Sequence, residues 1–272
     1  MAETIELKLY KGKVAIKFYP ETHAYYVDGK RKTGVTTYLG ILDKSRPLIY
    51  WAVGLFKDFL LENLPNGITE EHIEEGSKLH AQFKEQAATI GDKAHGWIEQ
   101  YIAHKLKQTK EKPEIPDDPK VLNAINGFLS WEKEHKVKFV SSERVVYSKK
   151  YDYIGKMDIE AEIDGQLCLV DIKTSNGLYN SVALQTAAYL KADEEETGKS
   201  YTGRWAIRLA KETEEEYQEK MEKKGKDTEG YVAFEAKYLD SQMMNVERDF
   251  KAFLSAKSLF EWNKETEKEF IK

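Results

Sequence analysis

Charged residues stand where a run of apolar residues ends. The apolar run 167–170 leads directly into Asp171 and Lys173, and Asp158 lies on the segment before it. In an extended strand, residues two apart point the same way, so Asp171 and Lys173 share a face. Charged groups at the end of a buried strand are costly unless an ion pair or a metal offsets them. The sequence therefore predicts either an ion pair or a metal site at this strand end.

The spacing of Asp158 and Asp171 favours a metal site. Asp164-Gly165 predicts a tight turn between two antiparallel strands. Asp158 and Asp171 lie about equally far from this turn, so we expect them roughly opposite each other, about 5 Å apart. Two carboxylates that close repel unless a cation joins them. Carboxylate oxygens favour a hard divalent ion such as Mg²⁺ or Mn²⁺. A surface ion pair is the alternative, and Asp158 argues against it.

The first half of the chain predicts a β-hairpin followed by helices. Alternating aromatic and polar residues flank Asp28-Gly29, which is the strongest short-range hairpin signal. Helical spacing of apolar residues predicts helices over 47–65, 69–108 and 119–137. We expect Thr36 or Thr37 as a cap, a stop at Pro65 and Gly67, and breaks near Gly76 and Gly91.

After Lys138 the hydrophobic period changes from helical to alternating. The predicted elements are strands over 139–149, 154–164 and 166–174, a helix over 181–192, a strand over 201–211, a charged helical segment over 211–229, a strand over 230–239 and a closing helix over 240–265. This order indicates an α/β fold in which helices flank a mixed central β-sheet. We expect a single domain over residues 1–272, with an N-terminal hairpin and helical region (1–137) and a catalytic α/β core (138–272).

Composition excludes several classes of protein. The 272 residues carry a net charge of −5, and 41% of them are hydrophobic, which is typical of a soluble globular chain. The negative charge argues against a protein that coats nucleic acid through overall positive charge. The single Cys168 excludes an internal disulfide framework and a four-cysteine zinc or iron–sulfur site. We see no secretory signal and no apolar run long enough to span a bilayer, so we expect a cytoplasmic protein with no membrane partner.

Three motifs together resemble the PD-(D/E)XK nuclease superfamily, in particular its RecB-like, phage-type exonuclease branch. They are GKMD (155–158), LVDIKTS (169–175) and LQTAAYL (184–190). The resemblance implies a restriction-endonuclease-like core in which Asp158, Asp171 and Lys173 are catalytic, with Gln185 and Tyr189 in supporting roles. Methionine stands before Asp158 where the superfamily's name has proline. The motif-bearing resemblance covers about residues 91–192.

The same resemblance implies a centre with one or two Mg²⁺ or Mn²⁺ ions and no iron–sulfur cluster. The implied ligands are His95, which stands in the branch's G-x-x-x-H setting, Asp158, Asp171 and the Ile172 backbone carbonyl. Glu143 matches an acid often found on the strand before the first aspartate, and it is implied as a supporting residue. Glu99 lies one helical turn after His95 and could join the metal shell, although a solvated acid is the simpler interpretation.

Contacts with nucleic acid are harder to predict from the sequence. Basic residues that could meet phosphates are Arg204 and Arg208, which share a face of one predicted strand, and Lys149, Lys150 and Lys156. Aromatic residues that could stack on unpaired bases are Tyr25, Tyr26 and Trp51, although core packing is the simpler expectation for most of them.

The expected function is that of a metal-dependent DNA exonuclease in phage or bacterial DNA recombination, repair or replication. In phosphodiester hydrolysis a metal ion offsets charge on the phosphate and on the leaving 3′ oxygen, and it lowers the pKa of a bound water. Lys173 would orient the water or stabilise the transition state. The alternatives are a structure-selective endonuclease and a non-catalytic nucleic-acid-binding protein on a nuclease fold. The expected partner is DNA, single- or double-stranded and with free ends, and a helicase or recombination protein is a candidate second partner.

Overall fold

A computed structural model describes residues 4–43, 45–240 and 245–270 of the chain. The strands are β1 (Ile5–Leu9), β2 (Val14–Tyr19), β3 (Ala24–Val27), β4 (Lys30–Lys32), β5 (Val137–Ser148), β6 (Tyr153–Ile163), β7 (Gln166–Lys173), β8 (Gly203–Leu209) and β9 (Phe234–Tyr238). The helices are α1 (Val35–Leu39), α2 (Ser45–Asn63), α3 (Glu70–Lys105), α4 (Pro119–Glu134), α5 (Ser181–Thr197), α6 (Glu214–Lys223) and α7 (Val246–Phe270). The first residues of the predicted closing helix, 241–244, lie outside the described residues.

The centre of the molecule is a five-stranded mixed sheet with the strand order β5-β6-β7-β8-β9. Neighbouring strands are antiparallel except β7 and β8, which run parallel and are connected through α5. Strand β7, which carries the D-x-K residues, is therefore the middle strand. The α/β class with a mixed sheet is confirmed. None of the helices in the described ranges combines the length and the apolar character needed to cross a bilayer.

Helices cover both faces of this sheet. On one face, α3 and α4 pack through residues such as Ile98 and Phe128 against Val170 and Ile172. On the other face, α1, α5 and α7 pack around Leu169. Alternate residues of β7 thus enter two different cores, as expected for a central strand covered on both sides.

A second sheet of four antiparallel strands, β1 to β4, forms the N-terminal region. The predicted hairpin at Asp28-Gly29 is confirmed as β3–β4, but β1 and β2 were not predicted. Strand β2 buries Val14 and Ile16 and exposes the residues between, an alternation that is already visible in the sequence. The sheet shares a core with β5 and β6 through Val145, Tyr147 and Ile154.

Helix α3 is continuous, so the predicted breaks at Gly76 and Gly91 are wrong. A Cβ at Gly76 would lie 2.8 Å from Phe56 Cδ2, and one at Gly91 would lie 2.6 Å from Thr174 Oγ1. The glycines therefore admit close neighbours rather than interrupting the helix. Thr69 caps its first turn, where Thr69 Oγ1 accepts a hydrogen bond from the backbone N–H of His72 at 3.3 Å.

The predicted cap at Thr36 or Thr37 is also wrong. Gly34 is the N-cap of the short helix α1, and both threonines lie within that helix. Helix α2 is a separate element that ends at Asn63, close to the predicted stop. The predicted helix over 47–65 therefore differs from the observed one by two residues at each end.

Candidate active site

Asp171 is the most deeply buried residue of the site. It has no exposed surface, and its Oδ1 accepts a hydrogen bond from Gln185 Nε2 at 3.1 Å. Its Oδ2 lies 2.5 Å from Lys173 Nζ but accepts no well-directed hydrogen bond from the described residues. Burial raises the pKa of Asp171 to about 7, although the Lys173 ammonium lowers it, and the nearby Asp158 raises it further. A second cation beside Oδ2 would offset this cost.

Asp158 lies at the end of the β6–β7 ladder. The last paired residues are Ile159 and Val170, and Asp158 Oδ2 then accepts a hydrogen bond from the backbone N–H of Ile172 at 2.8 Å. The side chain of Asp158 therefore joins β6 to β7 just beyond the last backbone pair of the ladder. This register places Asp158 across from Asp171.

The neighbouring strand is irregular opposite Asp158. Glu143 has a φ of +52°, and the β5–β6 ladder passes from Ser142–Ile159 to Arg144–Met157 without pairing Glu143. A non-glycine residue rarely adopts such a φ, and backbone outliers of this kind cluster at active sites. Glu143 is thereby brought close enough to Asp158 for the two charges to interact.

Glu143 also forms an ion pair with Lys156. Burial raises the pKa of Glu143 to about 7, the Lys156 ammonium lowers it, and the charges of Asp158 and Glu99 raise it. Glu143 thus adds a half-buried third acid to the buried Asp171 and the half-buried Asp158. The more distant Glu99 contributes its charge from the exposed side of α3.

Lys173 is held in its protonated form. Burial lowers its pKa, but the carboxylates of Asp171 and Asp158 outweigh burial, so the pKa lies above its usual value. A lysine with a raised pKa donates hydrogen bonds and offsets negative charge, and it is a poor general base at neutral pH.

His95 approaches the site from α3. The close contact of Gly91 with Thr174 brings this helix against the end of β7, and His95 lines the same cleft as Asp158 and Lys173. Burial lowers the pKa of His95, with Asp158 opposing, so the imidazole is neutral and has a free lone pair at neutral pH.

The donors suit a metal ion that keeps part of its water shell. Within the described ranges, no three His, Cys, Asp or Glu side chains are close enough together to hold a metal by themselves. Mg²⁺ typically uses one or two carboxylates and retains several waters. That requirement is met by the carboxylates of Asp158 and Asp171 and by the backbone carbonyl of Ile172, which lies between Asp171 and Lys173.

Gln185 and Tyr189 join helix α5 to the site. Gln185 Nε2 donates hydrogen bonds to Asp171 Oδ1 and, at 3.2 Å, to Tyr189 Oη. The Tyr189 ring packs directly on Gly155, where a Cβ would lie 2.3 Å from Cε1 of the ring. The glycine that precedes Asp158 in the motif is therefore required by the tyrosine.

Two clefts meet at Asp158. The α3 cleft, about 350 Å³, lies between α3 and the end of β7 and is lined by residues that include His95, Asp158, Ile172, Lys173, Thr174 and Lys211. The α1 cleft, about 580 Å³, lies on the side of the N-terminal sheet, and its cationic lining residues are Arg31, Lys32, Lys156 and Lys264. Asp158 lines both clefts, so the candidate catalytic residues stand where a basic groove meets a smaller cavity.

The prediction that Arg204 contacts nucleic acid is wrong. Arg204 has no exposed surface, and its Nη2 lies 2.7 Å from Asp240 Oδ1 and 2.7 Å from Asp249 Oδ2. Arg208 Nη2 donates a hydrogen bond to the Val232 carbonyl at 3.0 Å, and its Nε lies 3.5 Å from Glu235. Arg204 therefore has a structural role in the core, and Arg208 is already bonded to other residues of the protein.

The remaining predicted contacts are dispersed. Lys149 and Lys150 are exposed in the β5–β6 turn and line neither of the two clefts, whereas Lys156 lines the α1 cleft. Tyr25 is buried and stacks on Phe18, with ring centroids 4.5 Å apart. The other candidate aromatics differ in exposure: Tyr26 is half-buried and Trp51 is exposed.

Sequence reasoning missed several residues around the site. Arg31 and Lys264 come from opposite ends of the chain, and Lys211 follows β8. No local motif marks them, because only the tertiary fold brings them to the two clefts. Thr174 lies in the quoted motif, but its role as the contact for Gly91 required the structure.

No protein-family model matches the chain, and no curated protein matches it significantly. A nuclease function is therefore a proposal that depends on the motifs and on the geometry of the site.

Proposed function

We propose that this protein is a metal-dependent deoxyribonuclease of the PD-(D/E)XK type that hydrolyses phosphodiester bonds as an exonuclease. The observation that carries the proposal is the convergence of Asp158, Asp171 and Lys173 at the end of the central strand, with the Asp171 carboxylate completely buried. Lys173 supplies one positive charge for two acids, and buried acids whose charge is only partly offset cluster at functional sites.

Asp158 and Asp171 would hold Mg²⁺ or Mn²⁺ together with the Ile172 carbonyl, and His95 would contribute from the wall of the α3 cleft. Gln185 holds one oxygen of Asp171 and the Ile172 N–H holds one oxygen of Asp158. Asp158 therefore keeps its second oxygen for the ion, whereas Oδ2 of Asp171 would be shared between the ion and Lys173. When bound, the ion would offset negative charge on the phosphate and lower the pKa of a bound water.

Lys173 would act as a fixed cation. Because the two carboxylates keep it protonated, it would donate a hydrogen bond to the attacking water or to a phosphate oxygen and would stabilise charge in the transition state. Attack by water on phosphorus forms the new P–O bond while the bond to the 3′ oxygen breaks. The proton that the water loses passes to solvent, since the Lys173 ammonium cannot accept it, and the leaving 3′ oxygen takes up a proton from solvent.

The basic lining of the α1 cleft supports a polyanionic substrate. Net charge is −5 over the whole chain, yet this cleft carries Arg31, Lys32, Lys156 and Lys264. Lys32 and Lys156 pair with Asp152 and Glu143, whereas Arg31 and Lys264 are exposed and make no ion pair with the described residues. Phosphate contacts of this kind position a nucleic acid without reading its sequence.

Cleavage of end-labelled linear DNA and closed circular single-stranded DNA tests the proposal. The parent protein, Asp171→Ala and Glu162→Ala are compared with Mg²⁺, Mn²⁺ or EDTA. Glu162 is the matched control because it lies on β6 like Asp158 but forms a surface ion pair with Lys138. We expect metal-dependent loss of the linear substrate by the parent and by Glu162→Ala only.

The other outcomes separate the alternatives. Cutting of circles would favour the structure-selective endonuclease with the same chemistry. DNA binding without any cleavage would favour a non-catalytic binding protein. Full activity of Asp171→Ala would contradict the assigned site.

A further inference from the structure

Lys211 is a half-buried cation without an acidic partner. It follows strand β8, and its Nζ donates a hydrogen bond to the Ala87 carbonyl of α3 at 3.1 Å. Burial lowers its pKa and no neighbouring charge counteracts this, since none of the described carboxylates lies within ion-pair distance. The ammonium group therefore has only a neutral acceptor in the protein.

Comparable lysines of the described structure are paired. These half-buried ammonium groups and their partners are Lys156 with Glu143, Lys173 with Asp171, Lys191 with Glu194, and Lys199 with Glu160. Removing a charge from water without a counter-charge is costly, so an unpaired example marks a place where a ligand could supply the missing charge. Lys156 and Lys173 line clefts as well, so Lys211 differs from them only in having no described acid within ion-pair distance.

The location of Lys211 specifies the ligand. It lines the α3 cleft together with Asp92, Asp158, Ile172 and Lys173, so it would lie near the proposed metal ion and the scissile bond. The cleft volume of about 350 Å³ is at the lower end of the range for small-ligand pockets. Within the cleft, Lys173 is already neutralised by Asp171, whereas Lys211 has its charge available for an anion.

We propose that Lys211 binds a phosphate of the nucleic-acid backbone next to the scissile phosphate, on the α3 side of the active site. This inference rests on the proposed function, because it takes the same substrate. The strand would then extend from the basic α1 cleft past Asp158 into the α3 cleft. Lys211 holds the backbone in place and takes no part in the bond-breaking step.

Salt-dependent binding tests this assignment. Fluorescence anisotropy with a labelled single-stranded oligonucleotide, in EDTA and over a range of KCl concentrations, gives the slope of log affinity against log salt. The variants are Lys211→Met, Lys211→Arg and the control Lys84→Met, which removes an exposed lysine from α3 that lines neither cleft. Thermal unfolding checks that each variant is folded, and cleavage rates are measured separately with Mg²⁺.

We expect Lys211→Met to weaken binding about tenfold, as for one charge-assisted contact, and to reduce the magnitude of the slope by about 0.7. Lys211→Arg retains the slope, and Lys84→Met behaves like the parent. A purely structural role, acting through the bond to Ala87, would change stability and leave the slope unaltered, which would overturn the inference. If Lys211→Met binds DNA with the same affinity and salt slope as the parent, and the parent cleaves DNA normally, the inference about Lys211 is wrong and the proposed function still stands. A parent that neither binds nor cleaves DNA would remove both.

Discussion

Replacing Gly155 by alanine tests the packing that holds the site together. The new Cβ would lie 2.3 Å from Tyr189 Cε1 and 2.9 Å from Cδ1, whereas ordinary contacts begin at 3.4 Å. The ring must therefore retreat by roughly 1 Å, but it is buried between β6 and α5 and its hydroxyl accepts a hydrogen bond from Gln185. Overpacking of this kind costs about 1–3 kcal/mol.

Urea unfolding measures the loss, and Gly54→Ala is the matched control. Gly54 lies within α2, and a Cβ there meets nothing within 4 Å. Alanine stabilises a helix interior by about 0.5–1 kcal/mol over glycine, so the control should gain stability while Gly155→Ala loses it.

A double variant identifies the cause. Because the Tyr189 ring is the clashing group, Gly155→Ala combined with Tyr189→Leu should cost less than the sum of the two single changes. Cleavage activity should fall in Gly155→Ala, since displacement of Tyr189 disturbs Gln185 and through it Asp171. Equal stability of Gly155→Ala and Gly54→Ala would refute this reasoning.

Three further changes probe other parts of the structure. Gly91→Ala should reduce the cleavage rate, because the new Cβ pushes α3 away from Thr174. Adding Thr174→Ala to this variant should restore the rate. A double variant that stays slow would count against the contact between Gly91 and Thr174. Arg204→Met should lower the free energy of unfolding by about 3–5 kcal/mol, because it leaves the acids around Arg204 without their counter-charge. Arg208→Met should lower it by only about 0–1 kcal/mol. Similar losses for the two variants in urea unfolding would contradict the structural role of Arg204. Asp171→Asn should abolish cleavage yet leave the melting temperature unchanged or higher, since it removes a carboxylate whose charge burial disfavours and leaves the Asp158 carboxylate to offset the charge of Lys173. A large drop in melting temperature would argue for a structural role.

The sequence predicts the central strand and its acids well because the signals there are local. A continuous apolar run, a tight turn and a D-x-K sequence place Asp158 and Asp171 at one strand end, and the observed register agrees with this. The order of strands in the second half likewise follows from the alternating pattern. The β1–β2 pair was missed although its alternation is readable.

Sequence patterns do not predict which distant residues come into contact in the folded chain. Arg204 looks like a surface residue in a strand, and only the positions of Asp240 and Asp249 reveal that it is buried. The glycines of α3 resemble helix breakers until the partner side chains are known. Lys211 carries no motif, because its significance depends on which helix packs beside it.

Asp158 and Asp171 are proposed to bind a divalent cation together. Titration of the protein with Mn²⁺, followed by the electron paramagnetic resonance signal of free Mn²⁺, measures that binding without requiring cleavage. The parent and Glu162→Gln should take up Mn²⁺ at a site that Asp171→Asn and Asp158→Asn lack. Equal uptake by the parent and Asp171→Asn would contradict the account.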